Sequence, residues 1–200
     1  MQETVKISEL ICEIGRQFYG DSFSLSDENT KSSYKKVYEN LLKCARGKCN
    51  KGILVIGSIG TGKSAMMKIM QRLFKDTTAR FKWVNAYELK DLSEIYTSMQ
   101  IKEMYGYDCK CDLYIDDIGF SVDVKRFGNT VNIITEIILE RYDLYISSGY
   151  KTHFSSNLAA VIKNNSDNIP TLEKTYGLRI IDRMKEMCEI IIFKGESKRG

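Results

Sequence analysis

The sequence predicts an α/β fold in which a parallel β-sheet is covered by helices on both faces. Three observations support this. Short apolar runs alternate with segments whose apolar residues recur at helical spacing. The first run, at 53–56, is continuously apolar, as expected of a parallel strand buried on both faces. A glycine-rich loop separates that run from the next helical segment.

Two helices are predicted before residue 50. Gly20 is the stop signal of the first helix and Gly47 that of the second, and the polar stretch 21–31 separates them. Their apolar faces carry Ile7, Leu10, Ile11, Ile14 and Phe18 in the first, and Tyr34, Val37, Tyr38, Leu41, Leu42 and Ala45 in the second. We interpret both faces as packing surface. The predicted division is an N-terminal helical extension over 1–49 and one α/β domain over 50–200.

Strands and helices alternate through the rest of the chain. Strands are predicted at 53–56, 81–85, 113–115, 153–155 and 190–193. Helical spacing is found in Ala65, Met66, Ile69, Met70, Leu73 and Phe74, then in a long amphipathic segment with Leu89, Leu92, Ile95, Tyr96 and Met99, and then in Val131, Ile134, Ile137, Ile138 and Arg141. The chain contains one proline and no internal repeat, so no second independent domain is predicted.

The glycine-rich loop carries a phosphate-binding motif. It reads Gly57, Ser58, Ile59, Gly60, Thr61, Gly62, Lys63 and Ser64, which matches G-x-x-x-x-G-K-[ST]. The glycines let backbone N–H groups surround phosphate oxygens at the start of a helix, whose dipole favours an anion. Lys63 would reach the β- and γ-phosphates, and the Ser64 hydroxyl would bind Mg²⁺. The strand before the loop and the helix after it favour this interpretation over a chance match.

Two adjacent carboxylates follow the third predicted strand. Asp116 and Asp117 stand at its carboxyl end, where parallel sheets bind ligands. Asp116 is predicted to hold Mg²⁺, directly or through water, and Asp117 to polarise an attacking water molecule. The alternative is a helix-capping turn, which is weaker because adjacent carboxylates repel each other unless a cation compensates.

Three further polar residues are candidates for the site. Asn157 follows the fourth strand and could orient the water or contact the γ-phosphate, although an asparagine there is often only a helix cap. Arg179 and Arg183 lie four residues apart on one predicted helical face. Arginine stabilises the charge of a phosphoryl-transfer transition state, from the same chain or a neighbouring one.

Composition limits the classes of function. No apolar run is long enough to cross a membrane, and the first residues do not form a signal peptide, so a cytosolic protein is expected. The net charge of +4 permits nucleic-acid binding without requiring it. The pairs Cys44 with Cys49 and Cys109 with Cys111 could form a four-thiolate zinc site, but their spacing is not that of a zinc ribbon, and reduced thiols are the preferred interpretation.

Taken in order, these motifs resemble the DnaC/IstB family of AAA+ ATPases. The resemblance covers about residues 50–199. It rests on the segments 57–64, 113–119, 134–143, 152–158, 177–184 and 195–199. The first motif is specific alone, and the others gain specificity from their order.

The resemblance implies roles for named residues. Asp116 and Asp117 match the Walker B carboxylates and Asn157 the sensor 1 position. Arg183 matches the arginine finger that reaches a neighbouring subunit's nucleotide, and Arg199 matches the sensor 2 arginine. The cofactors implied are ATP and Mg²⁺, and the implied strand order is 5-1-4-3-2. Asp117 stands where many AAA+ proteins have glutamate, so hydrolysis is expected to be slow or to serve an assembly switch.

The resemblance also implies partners. Members load a replicative helicase onto DNA or assist a transposase, so we expect an ATP-dependent homo-oligomer that binds DNA, single-stranded in our first interpretation. The expected location is the cytoplasm of a bacterium, or of a bacterial host of a phage or mobile element. Segment 87–110 stands where initiator-type relatives contact DNA, although an ordinary covering helix fits equally well. A P-loop kinase for a small molecule and a nucleotide-gated adaptor with little hydrolysis are the alternatives.

Overall fold

The computed structural model describes residues 2–25, 27–126, 129–159 and 170–193. Its helices are α1 (Gln2–Tyr19), α2 (Glu28–Ala45), α3 (Lys63–Phe74), α4 (Ala86–Ile95), α5 (Ser98–Tyr105), α6 (Ile133–Ser148), α7 (Leu172–Tyr176) and α8 (Leu178–Met187). Its strands are β1 (Gly52–Ile56), β2 (Phe81–Asn85), β3 (Asp112–Ile118), β4 (Asp123–Arg126), β5 (Asn129–Asn132), β6 (Thr152–Ser156) and β7 (Cys188–Ile192).

Five parallel strands form the main sheet in the order β2-β3-β6-β1-β7. Numbered along the chain within this sheet, the order is 5-1-4-3-2, which is the order that the family resemblance implies. The strand β6 lies between β1 and β3. The carboxyl ends of these three strands therefore meet at one edge of the sheet, where α/β proteins place their ligands.

The two faces of the sheet bury separate apolar cores. On one face α1, α2 and α3 pack on the sheet, and on the other α4 to α8 do so. Alternation along β1 illustrates this, since Ile53 and Val55 enter the first core and Leu54 enters the second. The predicted three-layer α/β class is confirmed. Because α1 and α2 share a core with α3, they are packed as part of this body, and the boundary at residue 50 stays a prediction.

The predicted element boundaries are wrong in two places. The long amphipathic segment is two helices, because Thr97 begins α5 with a capping box in which its side chain accepts a hydrogen bond from the Gln100 N–H. Val131 lies in β5, which pairs antiparallel with β4, and the helix that was expected to include it starts at Ile133. The Asn132 side chain caps that helix by accepting from the Ile134 N–H.

A fully buried guanidinium aligns the starts of β3 and β6. Arg141 of α6 donates to the Cys109 and Cys111 carbonyl oxygens at 2.7 and 2.8 Å, to the Lys151 carbonyl at 3.0 Å and to the Thr152 hydroxyl at 2.8 Å. Burial lowers the pKa of this arginine. Its hydrogen bonds keep the two strands in register, and their carboxyl ends then carry the candidate site.

In the part of the chain that the structure describes, no helix combines the length and apolar character needed to span a bilayer.

Candidate functional site

The loop between β1 and α3 has the shape of a phosphate-binding loop. Gly60 and Gly62 have φ angles of 81° and 97°, which L side chains rarely adopt. A side chain at Gly62 would meet no atom within 4 Å, so the inner side of the loop is open. Thr61 closes the turn by donating to the Ser58 carbonyl at 2.9 Å. The loop thus leads into the N-terminus of α3, where an anion is favoured.

Lys63 is held inside this loop. Its ammonium donates to the Gly57 and Ser58 carbonyl oxygens, both at 2.8 Å, and to Asn157 Oδ1 at 2.6 Å. Only 6% of the residue is exposed. A buried cation therefore points at the space enclosed by the loop, and it is linked directly to the end of β6.

Asp116 lies at the centre of a cluster of hydroxyl groups. Its Oδ1 accepts hydrogen bonds from Tyr114 at 2.5 Å, Ser155 at 2.6 Å and Ser64 at 3.0 Å. On its other oxygen, Asn85 Nδ2 lies 3.5 Å away. Burial, followed by the charge of Asp116, raises the pKa of the Tyr114 phenol, which therefore remains a donor. The predicted ligands Ser64 and Asp116 are thus adjacent, and both present oxygen, the atom that Mg²⁺ prefers.

Asp117 has an unusual backbone conformation. Its φ angle is 59°, in the left-handed region, and the pairing of β3 with β6 shifts register between Ile115 and Ile118. The Asp117 N–H donates to Ser155 Oγ at 2.8 Å, and its carboxylate accepts from Asn157 Nδ2 at 2.6 Å. This irregularity turns the Asp117 side chain out of the strand ladder and towards Asn157. Strained backbone of this kind is common at functional sites.

The structure therefore brings Lys63, Ser64, Asp116, Asp117 and Asn157 together and leaves the arginines elsewhere. The guanidinium of Arg183, in α8, lies 4.8 Å from the centre of the Tyr142 ring of α6. Arg179 is exposed on the same helix. Arg199 lies outside the described residues. The roles assigned to these residues from the sequence stay predictions.

Asn85, Tyr114 and Ser155 contact Asp116, yet sequence reasoning gave none of them a role. A signal was present in each case. Tyr114 precedes Asp116 by two residues in a strand, so both side chains lie on one face. Asn85 is the last residue of β2 and is paired directly with Asp116. Ser155 lies near the end of β6, at the edge where ligands bind.

Segment 87–110 was considered for DNA contact, and several of its basic and aromatic residues are engaged within the protein. Lys102 forms ion pairs with Glu140 at 2.6 Å and Glu136 at 3.5 Å, and Tyr105 is buried in the core. Lys110 stacks 3.8 Å from the centre of the Tyr107 ring. Lys90 and Tyr96 remain exposed and line one pocket. Lys102 and Tyr105 thus hold α5 against the rest of the protein, and a role of the segment in DNA contact stays a prediction.

Four of the six cysteines lie in two close pairs. Cys44 and Cys49 both contact the Lys51 carbonyl at 3.6 Å, and the sulfur atoms of Cys109 and Cys111 are 3.4 Å apart. Over the described ranges, no three cysteine, histidine or carboxylate side chains gather closely enough to hold a metal ion together. Burial raises the pKa of the Cys44 and Cys111 thiols to about 12 and about 11, which favours the protonated thiol.

This chain matches the sequence profile of one protein family over more than half of its length. The profile described as "Protein of unknown function (DUF815)" matches residues 23–130, more than half of the chain. The chain belongs to the DUF815 family. The match spans α2 to β4 and so includes the glycine-rich loop 57–64 and both aspartates of this DUF815 member. A comparison with curated protein sequences gives no match.

Solved structures establish the fold of this DUF815 member. The crystal structure of the DnaC helicase loader is similar with a TM-score of 0.56 and 14% identity, over 90% of this chain and 99% of that one. The crystal structure of DnaI is similar with a TM-score of 0.59 and 20% identity, over 89% of this chain and 88% of that one. The structure of AMPPCP-bound DnaA from Aquifex aeolicus is similar with a TM-score of 0.55 and 16% identity, over 85% of this chain and 48% of that one. The chain has a DnaC-like AAA+ fold, so the family resemblance seen in the sequence is confirmed for the fold.

Proposed function

We propose that this protein binds ATP in the loop 57–64 and hydrolyses it slowly. The observation that carries the proposal is the hydrogen-bonded chain from Lys63 through Asn157 to Asp117. It joins the phosphate-binding cation to the carboxylate that would polarise water. A kinase has no need of a carboxylate aimed at water, whereas a hydrolase does. A protein of the same fold, DnaA, is described as bound to AMPPCP, an ATP analogue, which supports a nucleotide as the ligand.

The residues present fit a magnesium ion. Ser64 is exposed at the start of α3, its hydroxyl lies 3.0 Å from Asp116 Oδ1, and both groups are hard oxygen donors. Ser64 and Asp116 would hold the ion, directly or through water. When bound, Mg²⁺ draws charge from the β- and γ-phosphate oxygens. The hydroxyl groups of Tyr114 and Ser155 orient the Asp116 carboxylate for this task.

The remaining groups divide the catalytic work. Lys63 attracts the phosphate oxygens, Asp117 accepts a hydrogen bond from the attacking water, and Asn157 fixes the orientation of Asp117. Arg183 of a neighbouring copy, together with Arg199, would stabilise the transition-state charge. The short Asp117 side chain reaches less far than glutamate, which is why slow turnover is expected. In this proposal the ATPase domain is 50–200, and residues 1–49 are its N-terminal helical extension.

Phosphate release from ATP in the absence of any acceptor tests this proposal. In Lys63→Ala the affinity for ATP should fall by roughly 100-fold, or about 3 kcal/mol, because a buried charge-assisted contact is lost. Lys68→Ala is the matched control, since Lys68 is an exposed lysine of the same helix. It should leave ATP binding and ATP hydrolysis, both measured without DNA, unchanged.

Two results would contradict the proposal. ATP binding that survives in Lys63→Ala would place the nucleotide elsewhere. Tight binding without phosphate release, even at high protein concentration, would favour an acceptor-dependent kinase or a nucleotide-gated adaptor.

We also propose a role in DNA replication as a helicase-loader-type factor that contacts single-stranded DNA, with a transposase-helper role as the alternative within the same family. The supporting observation is a basic groove of about 510 Å³ lined by α3, the start of β2 and the end of α1. Its cations are Lys68, Arg72, Lys75, Arg80 and Lys82. None of the described residues that line it is acidic, although Lys75 pairs with Asp76 at 3.6 Å, and the whole chain has a net charge of only +4.

The basic groove suits a single strand better than a duplex. Its wall includes the ring of Phe18, which is 42% exposed and lies 5.7 Å from the Lys68 ammonium. An exposed ring beside cations can stack on an unpaired base while the cations contact the phosphates. The groove lies at the amino ends of β2 and β3, opposite the ATP edge of the sheet. DNA and ATP could therefore be bound at the same time.

A further inference from the structure

We propose that α7 transmits the state of the ATP site to the helix that carries Arg183, and that Tyr176 is the positioning residue that makes this transmission work. The inference rests on the proposed function, because it assigns regulation to that same site. It is drawn from hydrogen bonds at both ends of α7, a helix of one and a half turns between the site and α8.

The C-terminal end of α7 is fixed to the turn after Asp117. The Tyr176 hydroxyl accepts a hydrogen bond from the Gly119 N–H and donates one to the Phe120 carbonyl, both at 2.9 Å. The residue is 7% exposed, so water replaces neither bond easily. Burial raises the pKa of this phenol, which therefore keeps its proton. The Tyr176 side chain thus links the end of α7 to two backbone groups of the turn after Asp117.

The N-terminal end of α7 is fixed to the loop after Asn157. Ala159 and Thr171 form an isolated parallel bridge, and the Leu172 N–H donates to the Ala159 carbonyl at 3.0 Å. Ala159 is two residues beyond Asn157 in the chain. The short helix is therefore bonded at one end to the segment that follows Asn157 and at the other to the segment that follows Asp117.

These two segments also contact each other. Ser156 Oγ donates to the Ile118 carbonyl at 2.6 Å and accepts from the Leu158 N–H at 3.0 Å. A Cβ at Gly119, whose φ is 142°, would lie 3.0 Å from Leu158 Cδ1. The turn and the loop are in contact at Gly119, so a shift of either one displaces the other and strains the bonds of Tyr176.

A phosphate in the loop would disturb this arrangement at a defined point. Lys63 now donates to Asn157 Oδ1, and a phosphate oxygen would compete for that ammonium. Asn157 also donates to the Asp117 carboxylate, so a change in its orientation reaches Asp117, which already has a strained φ of 59°. The displacement then passes along the turn to Gly119 and Phe120, and through Tyr176 into α7.

The helix α8 is the output element. It begins one residue after Gly177, which ends α7 with its N–H bonded to the Glu173 carbonyl at 2.7 Å. Arg183 of this helix is stacked on Tyr142, whose hydroxyl donates to Glu186 at 2.7 Å. Both residues of this contact are half-buried, and a partly solvated cation–π contact is weak enough to be exchanged for a phosphate of another subunit. Movement of α8 would thereby present or withdraw Arg183.

Amide hydrogen exchange of peptides within Leu178–Met187 tests the proposal in the full chain. In the unaltered protein, ATP with Mg²⁺ should change the exchange rates of α8 by about threefold or more, and in Tyr176→Phe this response should be lost. The affinity for ATP should stay within about twofold in the variant, while its hydrolysis rate at saturating ATP falls by about fivefold, because the two hydrogen bonds of the hydroxyl group are lost. Tyr38→Phe, which removes a hydroxyl on the other face of the sheet, is the control and should respond like the unaltered protein.

A second perturbation separates this proposal from the proposed function. Without nucleotide, Asn157→Ala alone should change the amide hydrogen-exchange rates of α8. When Tyr176→Phe is already present, adding Asn157→Ala should leave those rates unchanged. If the unaltered protein fails to bind ATP, the proposed function is wrong, and the Asn157→Ala comparison still decides on the transmission. An α8 that responds equally in both backgrounds, to ATP or to Asn157→Ala, would overturn the role of Tyr176.

Discussion

At the scale of single residues, the site depends on polar groups that are buried or half-buried and already paired before any ligand arrives. Lys63, Asp116 and Asn157 each have at least two hydrogen-bonding partners. Such pairing fixes side-chain orientation and lowers the entropy cost of binding. Thr30 and His153 are exceptions among the buried polar residues, because neither the Thr30 hydroxyl nor either ring nitrogen of His153 has a hydrogen-bonding partner among the described residues.

His153 predicts how stability depends on pH. Burial, together with the nearby charges of Lys151 and Arg141, lowers its pKa from 6.5 to about 3. Below pH 6.5 the unfolded chain therefore takes up a proton that the folded chain does not, and acid favours unfolding. Between pH 7.5 and pH 5 this residue should cost about 2 kcal/mol of the free energy of unfolding.

Urea unfolding at both pH values measures this contribution. His153 is the only histidine in the chain. His153→Leu should therefore remove the loss of unfolding free energy that the imidazole causes at low pH, and leave only the pH dependence that is due to carboxylates. If the unfolding free energy of that variant depends on pH as strongly as that of the original protein, the imidazole is protonated, or paired, in the folded protein.

At the scale of elements, the sequence predicted the parts of the structure that follow from local patterns. All five strands of the main sheet were located from apolar runs, and the loop 57–64 from its glycines and Lys63. The hairpin of β4 and β5 was missed because Val131 happens to lie at helical spacing from Ile134 and Ile138. The contacts of Tyr114 and Ser155 with Asp116 could not be derived from periodicity, since they depend on which strands become neighbours.

The basic groove gives a prediction for α3 and β2. Arg72→Glu combined with Arg80→Glu should weaken binding of a single-stranded oligonucleotide by at least about tenfold, because two exposed cations of the groove become anions. If each arginine contacts one phosphate, the dependence of log affinity on log salt concentration should become shallower by about 1.4. Fluorescence anisotropy across a salt series measures both.

A matched control uses exposed lysines of α2. Lys36→Glu combined with Lys43→Glu makes the same change in net charge outside the basic groove and should have a much smaller effect. Equal losses in the two double variants would mean that net charge, and not this groove, determines binding. Full binding in both would leave an acidic protein segment as the better candidate for the groove.

At the scale of the whole molecule, the arrangement predicts that one chain holds an incomplete ATP site. Lys63, Asp116, Asp117 and Asn157 come from one chain, while Arg183 is stacked on Tyr142 and has no described contact with them. Because Arg183 is only half-buried on α8, a second copy could reach it. The completed site would then join two subunits, and ATP would act as an assembly signal as well as a substrate.

The most direct test is the molar mass in solution, measured by size-exclusion chromatography with light scattering, with and without ATP and Mg²⁺, and with and without single-stranded DNA. The mass should increase with ATP, increase further with DNA, and remain that of a monomer in Arg183→Ala. Lys185→Ala, which alters an exposed cation of the same helix, should assemble normally. A monomer under every condition, or assembly by Arg183→Ala equal to that of the unaltered protein, would contradict a site shared between subunits.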